Sequence, residues 1–134
     1  WQKLTEHGVD FPRVLPQHAG HDAPFIVGAT RADTRFSDPF DSLFCLDLTT
    51  TPPTSHLWTN TDTTFVGEPI PVTDPQTGDN HVLVVLTDGA RQTSTLAIFT
   101  LHNLSEGPIC QIPLPFMPLA FHGEWDPLGA SVIE

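Results

Sequence analysis

Short apolar runs recur along the chain, and no stretch repeats apolar residues at the spacing of an amphipathic helix. Proline, glycine, aspartate and asparagine cluster between the runs and favour chain reversals. This pattern predicts an all-β fold of the sandwich, barrel or propeller type, because periodicity alone does not separate the three. The predicted strands cover residues 24–29, 43–48, 55–59, 69–72, 81–87, 95–101, 109–113 and 119–122.

Two of these runs are apolar on both faces of a strand. Residues 82–86 (VLVVL) are continuously apolar, and residues 96–101 carry apolar side chains at both odd and even positions. Strands of this composition are typical of sheet interiors, whereas edge strands carry polar residues on one side. We therefore expect residues 82–86 to form a strand that is buried on both faces and is not an edge.

With 134 residues, of which 39 % are apolar, the chain is long enough for one small domain with a core. We expect one domain over residues 1–134 and no separate second domain. There is no apolar run of the roughly 18–20 residues that a membrane span needs and no signal-peptide pattern, which favours the cytoplasm while leaving the compartment open. The chain opens at Trp1 and its only methionine is Met117, so we expect a processed or truncated piece.

The charge balance argues against a nucleic-acid partner. Five basic residues face 16 acidic ones, for a formal net charge of −11, and phosphate binding needs clustered lysine and arginine. Docking to an anionic membrane surface through charge is disfavoured for the same reason. Seven histidines outnumber the basic side chains and direct attention to metal binding. Cys45 and Cys110 form either one disulfide or two free buried thiols.

One histidine stands out by its position. His122 follows a short apolar strand and precedes Gly123, which frees the backbone to turn. An imidazole at the end of a buried strand can offer one nitrogen to a metal, and its other N–H then needs an acceptor. The ordinary alternative is a core histidine whose polar atoms are paired.

Two acidic residues lie in unusual apolar surroundings. Glu68 comes directly before Pro69 at the start of an apolar strand, where a buried carboxylate is costly unless a cation or a donor pairs with it. Asp10 lies between apolar neighbours. The ordinary alternatives are an exposed loop acid for Glu68 and a turn or cap residue before proline for Asp10.

Three segments in this order resemble the C-terminal part of the carotenoid oxygenase family. They are Asp10–Arg13 (DFPR), residues 67–70 (GEPI) and residues 121–125 (FHGEW), and the resemblance extends from about residue 9 to residue 125. Asp10 stands where glutamate is more usual in the family. The family includes carotenoid and apocarotenoid cleavage dioxygenases, stilbene-cleaving dioxygenases and the retinoid isomerase of the eye.

The resemblance implies a seven-bladed β-propeller of which this chain forms about two C-terminal blades. It also implies a non-haem Fe(II) cofactor on the propeller axis, held by four histidines, three of them oriented by carboxylates. By this resemblance His122 is the last iron ligand and Glu68 is the carboxylate that orients it. Asp10 is the matching acid for a ligand histidine that precedes Trp1.

The implied reaction is oxidative cleavage, by O₂, of a conjugated double bond of a carotenoid, apocarotenoid or stilbenoid to two carbonyl products. The implied partners are O₂, an apolar conjugated substrate and the rest of the propeller. Peripheral membrane contact through other parts of the protein stays open. The alternative is a truncated, non-catalytic β-rich module with a binding or structural role. Hydrolysis of a sugar polymer ranks last, because no paired carboxylates with a supporting motif occur.

Metal chemistry elsewhere in the chain has weaker support. The other six histidines do not match ligand positions of the family. His18 and His21 have a spacing that suits a metal, but they lie in a loop without cysteines. Residues 74–80 resemble a calcium loop only loosely, and a solvated turn is the favoured interpretation.

Overall fold

The computed structural model describes residues 3–33, 39–60, 64–118 and 122–126. In these residues the regular structure consists of β-strands and two short 3₁₀ helices, Pro16–His18 and Leu101–Glu106. The prediction of an all-β fold is confirmed. The strands are β1 Asp10–Arg13, β2 Phe25–Thr30, β3 Ser42–Asp47, β4 Thr54–Thr59, β5 Thr64–Val66, β6 Ile70–Thr73, β7 Asn80–Asp88, β8 Thr93–Thr100 and β9 Cys110–Leu114.

The first sheet is an antiparallel meander in which each strand pairs with its neighbour in sequence, in the order β1-β2-β3-β4. Strand β3 lies inside this sheet, and Cys45 pairs with Val27 on one side and with His56 on the other. The five residues from Ser42 to Leu46 are buried, which agrees with their position between two hydrogen-bonded neighbours.

The second sheet has the order β5-β7-β8-β9, and β6 also pairs with β7. Strand β5 pairs with the last residues of β7 and β6 pairs with its first residues. The two are therefore halves of one edge strand, interrupted at residues 67–69. The interruption stays attached to the sheet, because the Gly67 N–H donates to the Val85 carbonyl at 2.9 Å. Pro71 in β6 fits this edge position, where its missing N–H removes no inner hydrogen bond.

Both sheets contribute to one hydrophobic core. Buried residues of β2 and β3 meet buried residues of β7 and β8, and the Trp58 ring packs 4.9 Å from the Phe99 ring, centroid to centroid. Leu101 and Leu104 of the second 3₁₀ helix join this core. Burial of these apolar side chains is the main contribution that stabilises the packing of the two sheets against each other.

Seven of the eight predicted runs coincide with observed strands. Strands β1 and β5 were not predicted, since β1 is short and half polar and β5 has only three residues. The predicted strand over residues 95–101 ends at Thr100, where the 3₁₀ helix begins. In the predicted strand 119–122, residues 119–121 lie outside the described residues, and His122 itself lies in irregular structure.

The apolar run at residues 82–86 forms the interior of β7 and is not an edge, as predicted. Its burial is uneven, which corrects the expectation that the strand is buried on both faces. Val82 and Val84 are almost completely buried, whereas Leu83 and Val85 are half-buried. Leu83 lies on the half-buried face and lines a groove together with Trp125, which comes near the end of the sequence.

Gly28 in β2 allows β1 to lie close to the rest of the first sheet. A Cβ atom at this position would lie 2.9 Å from the Asp10 carbonyl oxygen and would overlap the Val9 side chain. Only glycine leaves room for a backbone approach of this kind. Gly28 therefore sets the position of β1, which carries two of the residues of the candidate site.

Both cysteines are free thiols, so the disulfide alternative is wrong. Cys45 is buried in β3, but Cys110 is exposed at the start of β9, which corrects the expectation of two buried thiols. Burial raises the pKa of the Cys45 thiol to about 12, and the nearby Asp47 carboxylate adds to this effect.

We expect Cys45 not to react rapidly with a thiol reagent in the native protein, because the thiolate is the reactive form. Cys45 is both inaccessible and protonated at neutral pH. In a labelling time course, Cys45→Ser should remove no fast-reacting thiol. A fast-reacting thiol lost with Cys45→Ser would contradict the burial of β3.

Across the described residues, no helix has the length and apolar character needed to cross a membrane.

Candidate metal-ligand site

Glu68 lies in the interruption between β5 and β6 and is buried, with 8 % of the residue exposed. Its neighbours Gly67 and Pro69 are also buried. A buried carboxylate needs hydrogen-bond donors or a cation around it. The structure supplies donors from two other segments of the chain, one that precedes Glu68 in the sequence and one that follows it.

The first donor comes from the other sheet. Arg13 on β1 donates from Nη1 to Glu68 Oε1 at 3.3 Å, and its side chain is 34 % exposed. This ion pair connects β1 with the interrupted edge strand of the second sheet.

The second group of donors comes from the segment that carries His122. Nδ1 of His122 lies 3.2 Å from Glu68 Oε2, and the Gly123 N–H donates to the same oxygen at 3.0 Å. An ionised carboxylate can only accept hydrogen bonds, so the Nδ1 atom of a neutral His122 ring carries the proton. The lone pair of that ring is therefore on Nε2.

The Nε2 atom of His122 has no hydrogen-bond partner in the part of the chain that the structure describes, and the side chain is 80 % exposed. His122 is therefore not a core histidine. The ring is nonetheless oriented on two sides, since the Phe11 ring stands edge-on to it at 5.9 Å and 90°. Phe11 in turn packs edge-on against Phe40 at 5.7 Å.

Two buried hydroxyl groups hold the chain that leads to His122. The Met117 N–H donates to Ser94 Oγ at 2.9 Å, and the Met117 carbonyl accepts from Ser94 Oγ at 3.1 Å and from Thr87 Oγ1 at 3.2 Å. Ser94 is 2 % exposed and Thr87 is 4 % exposed. These bonds fix Met117 against the second sheet, five residues before His122.

A cavity of about 120 Å³ adjoins the Glu68–His122 pair. Apart from these two residues and Gly123, its lining is apolar and consists of Ile70, Val84, Val85, Leu96 and Met117. The polar pair thus borders a small apolar cavity.

The structure thus brings two of the three predicted site residues together. Asp10 lies on β1 with an exposed side chain, and its Oδ1 accepts a 3.0 Å hydrogen bond from the Phe11 N–H. Its proposed partner, a histidine before Trp1, is not in this chain.

Arg13 and Phe11 also contact the pair, and the sequence analysis included them only as members of the DFPR segment, with no role at the site. Gly123, named there for its backbone freedom, also donates its N–H to Glu68. A buried Glu68 needs a cation nearby, and the chain has only five basic residues. The sequence therefore limited the candidates for this cation to five side chains. The packing of β1 against the second sheet selects Arg13 among them.

Other candidate metal clusters receive no support from the described residues. Within residues 3–33, 39–60, 64–118 and 122–126, no group of three or more His, Cys, Asp or Glu side chains could hold a metal ion. Asp74 accepts a hydrogen bond from the Gln76 N–H in an exposed turn, as expected for a solvated reversal.

The fold of the chain is similar to that of solved dioxygenase and ACO structures. The two sheets superpose on the crystal structure of Pseudomonas brassicacearum lignostilbene dioxygenase with a TM-score of 0.78 and 26 % identity, covering 94 % of this chain and 28 % of that one. A cobalt-substituted form of Synechocystis ACO matches with a TM-score of 0.82 and 23 % identity, covering 93 % of this chain and 26 % of that one. The two sheets are blades of a β-propeller, which confirms the predicted fold class.

The family model described as retinal pigment epithelial membrane protein matches residues 2–127. The chain belongs to this family, that of the carotenoid oxygenases. No curated protein sequence matches the chain. The chain spans 28 % of the length of the lignostilbene dioxygenase.

Proposed function

We propose that this chain is part of a non-haem Fe(II) dioxygenase that uses O₂ to cleave a conjugated double bond of a carotenoid, apocarotenoid or stilbenoid to two carbonyl products. Family membership supports the reaction class. The single observation that carries the role of this segment is the contact of His122 Nδ1 with the buried Glu68, which leaves Nε2 for a metal. In this proposal residues 1–134 form the C-terminal part of one propeller domain.

The residues present fit an iron ion. A neutral imidazole nitrogen is a ligand that Fe(II) accepts, and a carboxylate on the second ring nitrogen raises the basicity of the first. His122 would hold the metal through Nε2, Glu68 would orient His122, and Asp10 would orient a histidine outside this chain. Asp10 is one methylene shorter than glutamate, so its reach is correspondingly smaller. Bound iron supplies the activation of dioxygen beside the substrate double bond.

The apolar cavity beside the pair supports a hydrocarbon-like substrate. Its lining beside His122 is mainly aliphatic, from Ile70, Val84, Val85, Leu96 and Met117. An apolar conjugated molecule gains free energy by leaving water for such surroundings. The polar atoms of Glu68 are all directed to Arg13, His122 and Gly123, so this carboxylate holds the ring and leaves the cavity apolar.

The exposed apolar residues of the second sheet support the need for the rest of the propeller. Ile109 is 63 % exposed and Ile112 on the edge strand β9 is 43 % exposed. Exposed apolar positions on an edge are a liability unless another element covers them. We propose that further blades of the same protein do so.

The experiment uses the full-length protein loaded with Fe(II) and assays one apocarotenoid and one stilbenoid under O₂. We expect one of the two classes to give two carbonyl products by mass spectrometry, with uptake of one O₂ per substrate. Samples under argon and samples stripped of iron should give none. Iron-loaded protein that neither consumes O₂ nor cleaves either class would refute the proposed reaction.

A further inference from the structure

Glu68 uses its two oxygen atoms for two different segments of the chain. Oε2 accepts from His122 and from the Gly123 N–H, whereas Oε1 accepts from Arg13 at 3.3 Å. The carboxylate is therefore held through both of its oxygen atoms. Its orientation toward His122 depends on what holds the opposite oxygen.

The Glu68 side chain is 6 % exposed, so water provides little solvation for its charge. A neutral His122 and a backbone N–H bring hydrogen bonds but no positive charge to Oε2. Arg13 is the cation that the structure places on this carboxylate. Breaking a buried ion pair by removal of one partner leaves an uncompensated charge, which is more costly than the pair itself is stabilising.

The conformation of β1 delivers this cation together with the ring that packs on His122. Phe11 and Arg13 are the two half-buried residues of β1, and Asp10 and Pro12 are the exposed ones. The register of β1 against β2 shifts between Asp10 and Arg13, and Phe11 has a positive φ of 51°. A positive φ is unusual for a bulky side chain and is maintained only where the surrounding structure enforces it. Phe11 packs against His122 and Arg13 binds Glu68, so the bulge places both contacts at the site.

We propose that Arg13 is a positioning residue of the metal site. It holds Oε1 of Glu68, so that Oε2 stays aimed at Nδ1 of His122 and Nε2 stays available to the metal. Without the guanidinium, the Glu68 carboxylate would be free to rotate toward solvent or toward other donors, and the His122 ring would lose its fixed orientation. This inference rests on the proposed function. It adds that β1 of the first sheet contributes a residue on which the geometry of the metal site depends.

The test measures Co(II) binding to the metal-free full-length protein, by affinity and by visible absorption, which reports on ligand geometry. We expect Arg13→Met to weaken binding roughly 10-fold, at the lower end of the effect of outer-shell changes, and to alter the absorption bands. In a Glu68→Gln background, Arg13→Met should cause no further loss, because the two residues act through one contact. Arg13→Lys should restore most of the affinity, since an ammonium keeps the charge.

Arg91→Met is the matched control. Arg91 Nη1 lies 3.2 Å from Oδ2 of Asp88, whose side chain is 8 % exposed, so this variant also removes an arginine from a shielded acid in the second sheet. We expect it to leave Co(II) affinity unchanged. If Arg13→Met does not fold, Arg13→Gln takes its place with the same expectations.

Three results would overturn the role of Arg13: unchanged affinity in Arg13→Met, an equal loss in the Glu68→Gln background, or no rescue by Arg13→Lys. The proposed function fails by a different result. Full metal binding by His122→Ala would refute the proposed metal site itself. Loss of metal in His122→Ala together with normal metal binding in Arg13→Met would refute only the role of Arg13.

Discussion

His122→Ala in the full-length protein is expected to weaken iron binding by more than about 100-fold, beyond the range of outer-shell substitutions, and to reduce double-bond cleavage to background. The substitution removes the Nε2 lone pair that the proposal assigns to the metal. It leaves the strands of both sheets intact, because the His122 side chain is 80 % exposed and lies outside the core. Iron content of the purified protein and the cleavage rate are the two readouts.

His21→Ala is the control for this prediction, since it deletes the same side chain from an exposed loop position. We expect it to retain full iron and full activity. A loss of iron with His21→Ala, or full iron and activity with His122→Ala, would show that the ligand lies elsewhere.

Glu68→Gln is expected to weaken iron binding or slow turnover by roughly 10–100-fold. Three donors surround the carboxylate, and both of its oxygens accept. Glutamine has nearly the same shape, but it offers one acceptor oxygen and places an NH₂ group against at least one donor. Either His122 or Arg13 then faces another donor, and the buried contact is lost.

The control for Glu68→Gln is Glu106→Gln, which makes the same chemical change at an exposed position of the second 3₁₀ helix. Metal affinity and cleavage rate should equal those of the parent protein. If Glu68→Gln also leaves both quantities unchanged, Glu68 has no part in holding His122.

The strand content was predictable because it depends on local properties of the sequence. Alternating or continuous apolar runs bounded by turn residues located seven strands to within a few residues. Strand β1 could not be found in this way, because the residues of DFPR do not alternate and the strand contains a bulge. Its position depends on a glycine in the neighbouring strand, Gly28, which allows the close approach.

The candidate site was predictable in its residue types but not in its full set of contacts. A buried Glu68 before a proline raised the question of a partner, and the family resemblance suggested His122. Neither consideration identifies Arg13 or Phe11, because their contacts arise only when β1 of the first sheet packs against the interrupted edge strand of the second. Arg13 and Glu68 are 55 positions apart in the sequence, and Phe11 is still farther from His122. Contacts over such separations depend on sheet topology, which periodicity does not specify.

The exposure of His122 could not be predicted from the sequence either. A histidine after an apolar segment predicts either a ligand or a buried, paired residue, and the pattern does not separate the two. The structure shows one ring nitrogen on a buried acid and most of the ring exposed. The role of Asp10 stays a prediction, because the histidine that it would orient lies outside this chain.

The most direct measurement is anomalous diffraction at the iron absorption edge from crystals of the full-length protein. We expect the metal within coordination distance of His122 Nε2, about 2 Å as for other imidazole–metal bonds, with Nδ1 still hydrogen-bonded to Glu68. Iron located away from His122, or bound through Nδ1 with Glu68 displaced from the ring, would contradict the proposed site.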